Sequence, residues 1–173
     1  MKITKLFLLT AALTLFLCGM AMAQGDSQNH NVTVTLGEVA KIGINGGNVT
    51  LTFNTGGTTP GDLPIPVTDA TTDLRWTSNV ASGLTRKITA ALEADYVTGI
   101  VLKITVGAPA TGTTTGASAG QITLSTTDQD AFTGITNEHC KDAALSYEVS
   151  LTAMVEPNGG EMHQVTYTLT DDA

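Results

Sequence analysis

Apolar and polar residues alternate with a period of two along most of the chain, and helical spacing is almost absent. Val32, Val34 and Leu36 share a face over 31–36, and Ala40, Ile42 and Ile44 share one in the next run. Val49, Leu51 and Phe53 alternate with Thr50 and Thr52. Leu74, Trp76 and Ser78 form a fourth run, and Leu84, Ile88, Ala90 and Leu92 a fifth. Ile100, Leu102, Ile104 and Val106 follow, then the short runs at Ile122–Leu124 and Phe132–Ile135. Leu145, Tyr147, Val149, Leu151, Ala153 and Val155 make the longest run, and Val165, Tyr167 and Leu169 the last. Such runs are half-buried strands, and their apolar faces need a partner layer. The pattern predicts an all-β fold, an immunoglobulin-like antiparallel β-sandwich of about nine or ten strands.

Turn chemistry divides the strands. Asn45-Gly46-Gly47-Asn48 supplies residues that accept positive φ, which predicts a hairpin between the second and third runs. Glu156-Pro157-Asn158-Gly159-Gly160-Glu161 predicts another between the last two. The stretch 55–66 holds Pro60, Pro64 and Pro66 and is excluded as a central strand. The stretch 107–120 is rich in Gly, Ala and Thr and lacks a bulky apolar anchor, so it reads as a mobile surface loop.

The amino terminus departs from this pattern. Lys2 and Lys5 precede the mostly apolar run Leu6–Leu17, and Ala21-Met22-Ala23 ends it. Charged, apolar and small-residue regions in that order define a secretory signal peptide over 1–23. The run falls short of the roughly 20 residues of a membrane-spanning helix. Cys18 follows Phe16 and Leu17 rather than a small residue, so it is expected to leave with the signal. Residues 24–173 are then a single exported domain, with no membrane span.

Processing sharpens the charge and cysteine arguments. The mature chain keeps all 16 acidic residues but only six of the eight basic ones, a formal charge of −10. Without a basic stripe, nucleic acid is not an expected partner. Cys140 is the one cysteine left, so no internal disulfide can form, and a buried, inert thiol is expected.

Candidate chemistry is sparse. The histidines are His30, His139 and His163. Glu138-His139-Cys140-Lys141-Asp142 is the one local cluster, but neighbours in an extended segment point to opposite faces, which separates the Cys–His pair. A solvated loop carrying one buried thiol is the expected form. No CxxC or HxxxH spacing offers a zinc site. Asp69, Asp73, Asp128, Asp130, Asp171 and Asp172 offer oxygens but no calcium-loop pattern. No catalytic residue, cofactor or metal is expected, and Trp76 is read as core.

Two segments, Trp76-Thr-Ser-Asn-Val-Ala-Ser-Gly-Leu-Thr-Arg-Lys-Ile-Thr89 and His163-Gln-Val-Thr-Tyr-Thr-Leu-Thr170, resemble a group of uncharacterised secreted bacterial β-sandwich proteins. The chain is more loosely similar to fimbrial-subunit and spore-coat-U-type domains. That resemblance implies an immunoglobulin-like sandwich and assembly by strand exchange, although those domains often carry a disulfide that this chain cannot form. The expected function is an exported, non-enzymatic structural or adhesive protein, a fimbria-like subunit of a surface assembly. Its partners would be other copies of itself or other surface proteins, outside the cell, at its surface or in the periplasm. The alternative is a secreted glycan- or calcium-binding module with ligand contacts in the loops at one end.

Overall fold

A computed structural model describes residues 28–53 and 58–172. The signal-peptide reading of 1–23 lies outside these residues. The chain divides into two units, Met1–Leu36 and Gly37–Ala173. In the first, residues 28–36 form no strand, and Val32, Val34 and Leu36 are 73%, 88% and 79% exposed. The strand expected over 31–36 is therefore absent. Nothing in that stretch pairs its backbone, and alternation alone does not make a ladder.

The second unit is a β-sandwich. Its strands are β1 (Val39–Asn45), β2 (Val67–Asn79), β3 (Arg86–Leu92), β4 (Ile100–Thr113), β5 (Ala117–Ser118), β6 (Gln121–Thr123), β7 (Gln129–Ile135), β8 (Glu138–Leu151) and β9 (Val165–Asp171). One sheet has the order β1-β2-β8-β4-β6 and the other β5-β7-β3-β9, with every pairing antiparallel. The inward residues interleave as the alternation predicts. Leu74 and Trp76 of β2, Ile104 and Val106 of β4 and Leu145 of β8 meet Ile88 of β3 and Phe132 and Ile135 of β7. The Trp76 and Phe132 rings, one from each sheet, lie 4.9 Å apart at a tilt of 54°. That is a favourable aromatic geometry, and it fixes Trp76 as core. Tyr147 of β8 and Tyr167 of β9 share a hydrogen bond of 2.9 Å between their hydroxyls, joining the sheets through their polar tips.

Three expectations fail on connectivity. First, β1 pairs with β2 in the register Ile42↔Trp76, not with residues 49–53. Val49, Leu51 and Phe53 still pack on the core but form no strand. Gly46 adopts φ 120°, so the turn residues are used, but the chain leaving them does not return to β1. Second, β8 and β9 lie in different sheets, so 156–161 closes no hairpin. Its local turn is present: Gly160 has φ 99°, and its N–H donates to Asn158 Oδ1 at 3.2 Å. A tight turn bends the chain without dictating which strands then pair.

Third, the Gly/Ala/Thr stretch 107–120 is not a mobile loop. It continues β4 as far as Thr113, crosses to the other sheet and forms β5 there. Pro109 sits beyond the span in which β6 pairs with β4, where the strand has a neighbour on one side only and a missing N–H is tolerated. Gly112 has φ 104°, and a Cβ there would stand 1.9 Å from the carbonyl oxygen of His139. At Gly116 a Cβ would meet Thr133 O and the Phe132 ring, each at 2.6 Å.

These constraints rank two substitutions. Gly112 and Gly120 both have positive φ, but only Gly112 faces backbone, since nothing lies within 4 Å of a Cβ at Gly120. Gly120→Ala is expected to cost about 1 kcal/mol and Gly112→Ala more than about 3 kcal/mol. Urea unfolding of the two variants checks the order; equal midpoints would refute it.

Candidate functional site

Residues 138–142 belong to strand β8 rather than to a solvated loop, paired to β2 on one side and β4 on the other. Glu138 and Cys140 point into the sandwich, 4% and 2% exposed, while His139 and Lys141 are exposed. The Cys–His pair is thus split across the sheet, as extended geometry requires.

Glu138 is a buried carboxylate with no cation within ion-pair distance among the described residues. Donors take the place of a counter-charge. Trp76 Nε1 donates to Oε1 at 2.7 Å, and the backbone N–H and hydroxyl of Thr115 both donate to Oε2 at 2.7 Å. Thr114 Oγ1 adds a contact of 3.3 Å. Burial pushes the carboxyl upward and is the largest single influence. The Thr115 backbone and side chain, Trp76 and the Thr136 backbone together outweigh it, so the group rests below the ordinary value of 4.5. Because Thr114 and Thr115 lie on the crossover between β4 and β5, the carboxylate pins that crossover over the end of the core.

Cys140 is the opposite case. Burial, then the charge of Glu138, push its thiol up to about 11. Its Sγ donates to the carbonyl of Thr113 at 3.0 Å. A thiol held protonated is a poor nucleophile and a poor metal ligand.

The second buried charge is Arg86 of β3, 5% exposed. Its Nη1 donates to the carbonyls of Val39 at 2.9 Å and Asn79 at 3.1 Å, and to Ser78 Oγ at 3.3 Å. Its Nη2 meets Glu38 at 2.6 Å, and its Nε meets Asp171 at 3.0 Å. One guanidinium thereby ties β3 to β1 and β2 across the sandwich and to β9 beside it. Both buried charges were visible in the sequence as parity: Arg86 stands in step with Ile88 and Ala90, and Glu138 with Cys140.

Four of the remaining acidic candidates, Asp69, Asp130, Asp171 and Asp172, make contacts within the fold. Asp69 accepts from the Thr71 N–H at 2.9 Å within β2, where the β2–β8 register shifts, and Asp130 and Asp172 flank Lys87. His163 bonds to Glu161 at 2.8 Å and packs edge-on against Tyr96. Among the described residues no group of three or more His, Cys, Asp or Glu is placed to hold a metal ion. No helix among them is long and apolar enough to cross a membrane.

On the outer face of the five-stranded sheet, Lys41, Gly43, Arg75, Thr77 and Lys141 line an open groove of about 200 Å³. No family model, curated protein or solved structure matches this chain.

Two outcomes follow from the buried pair. Glu138 has a lowered pKa in the folded state, so its contribution is present above pH 4.5 and is lost as pH falls through the folded value. Glu138→Gln is expected to cost about 1–3 kcal/mol at pH 7, and less as pH falls below the ordinary carboxylate range. Urea midpoints at pH 7 and pH 3 test this; a gap that does not narrow refutes it. Cys140 is expected to resist an aromatic disulfide reagent at pH 8 until denaturant is added. Immediate reaction of the native protein would overturn the buried-thiol assignment.

Proposed function

We propose that this is an exported, non-enzymatic structural or adhesive β-sandwich that acts as a subunit of a surface assembly by lending a strand to a neighbouring copy. The observation that carries this reading is the exposed alternation of Val32, Val34 and Leu36 on an unpaired stretch ahead of the sandwich. Three large apolar side chains on one face of an extended segment suit addition to an open sheet edge. The sandwich has such edges. Among the described residues β9 pairs with β3 alone, and its Val165, Tyr167 and Leu169 face the core while its threonines face out. The buried protonated thiol and the histidine held on the opposite face of β8 suit scaffolding rather than turnover. The loose resemblance of the sequence to fimbrial-subunit and spore-coat-U-type domains points the same way.

Light scattering coupled to size-exclusion chromatography tests it on the mature chain at micromolar concentration. The wild type is expected to form concentration-dependent oligomers, and Val34→Asp to leave monomers of unchanged fold. A wild type that stays monomeric across the range sinks the proposal.

A further inference from the structure

The basic residues of the sandwich divide into two sets. Residues 37–172 contain six Lys and Arg against 15 Asp and Glu, so acids are plentiful enough to pair every cation. Arg86, Lys87 and Lys103 are indeed paired. Among the described residues, Lys41, Arg75 and Lys141 have no carboxylate within the 4.0 Å of an ion pair. These three cations line one groove.

The backbone is shaped to bring them together. Gly43 of β1 stands opposite Arg75 of β2, and the space of its missing side chain lies 3.6 Å from Arg75 Cγ. On the other flank the β2–β8 register breaks between Leu74 and Trp76, where Lys141 and Asp142 both oppose Arg75. Asp142 takes φ 58°, the left-handed conformation of a bulged residue. The bulge places Lys141 in the groove, while the Asp142 carboxylate accepts from Thr111 on β4 at 3.3 Å. Asp73, further along β2, stands opposite Asn45 and Ala144. Arg75 Nε is buried without a hydrogen-bond partner, so its guanidinium gains by turning onto an acceptor.

We infer that this groove binds the carboxylate of an acidic glycan, with Arg75 as the bidentate fork and Lys41 and Lys141 as flanking charges. An arginine fork matches carboxylate geometry. The site is an open stretch of sheet, smaller than the roughly 300 Å³ of enclosed small-molecule sites, which suits one charged group on an extended chain. Thr77, in register with Lys41 across β1 and with His139 across β8, adds one hydroxyl to a lining that is otherwise largely apolar. A largely apolar floor with charges at its rim suits a sugar unit that lays its C–H face on the sheet and turns its carboxylate to the cations. The acidic remainder of the protein repels polyanions, and it penalises a polymer with one charge per sugar less than densely charged ones such as nucleic acid.

Titration calorimetry of the mature chain with an oligogalacturonate at low salt tests this. Binding is expected, weakening with salt and falling about tenfold or more in each of Lys41→Ala and Lys141→Ala, both at exposed positions. Lys103→Ala, which removes an equal charge elsewhere on the same sheet, should leave it unchanged. Absence of binding, or an equal loss in Lys103→Ala, overturns the inference. So does inorganic sulfate or phosphate binding as tightly as the oligouronate, which would make this a simple oxyanion site. The inference does not rest on strand addition: Val34→Asp should bind the oligouronate as the wild type does.

Discussion

A carboxylate shut inside a sandwich without a counter-charge dictates what surrounds it. Glu138 must be met by donors, because an unpartnered buried charge costs far more than the fold can spare. Trp76 supplies one donor from the neighbouring strand, and Thr115 supplies two from the crossover. For Thr115 to arrive, β4 must run on beyond β6, paired with β8 as far as Thr113, and then cross the end of the core. That path passes the backbone of β8 and the ring of Phe132 so closely that Gly112 and Gly116 leave no room for a side chain. Core packing, a low-complexity stretch and two obligatory glycines thus answer to a single buried group.

Arg86 works by a complementary logic. Carbonyl oxygens and carboxylates converge on it, and it draws together the first, second and ninth strands around the third. Ser78 accepts from Arg86 and pairs in register with Glu138, so both buried charges organise the same end of the molecule. Neither neutralises the other within ion-pair distance. Each is satisfied by its own shell, and each shell spans several strands. Cys140 is a free thiol, and among the described residues these polar clamps hold the strands together where a disulfide does not.

The sequence made the inward faces legible, because burial leaves a period of two. Leu74 and Trp76, Ile104 and Val106, and the long run through β8 all sit where alternation puts them. Strand pairing was less legible, because it is decided at long range. Val49, Leu51 and Phe53 alternate and are half-buried, yet join no ladder, since their alternation reports packing rather than hydrogen bonding. The turn at 156–161 has the dihedrals its residues require, yet it joins strands of different sheets. Glu138 escaped notice because a charged residue beside His139 and Lys141 reads as solvated. Only its parity with Cys140 marks it as inward. The cationic groove was illegible for a related reason: Lys41, Arg75 and Lys141 are far apart in sequence and meet only through the register of three strands.

The placement of β9 bears on how the chain reaches this state. Arg86 of β3 lies beside Asp171, 85 positions later in the chain. Loop closure over that distance must precede the contacts that reward it. During synthesis, β3 therefore waits with one edge uncovered until residues 165–171 emerge, and its inward Arg86 waits with it. For that interval the nascent chain is a strand-seeking species, exposed to pairing with the wrong partner.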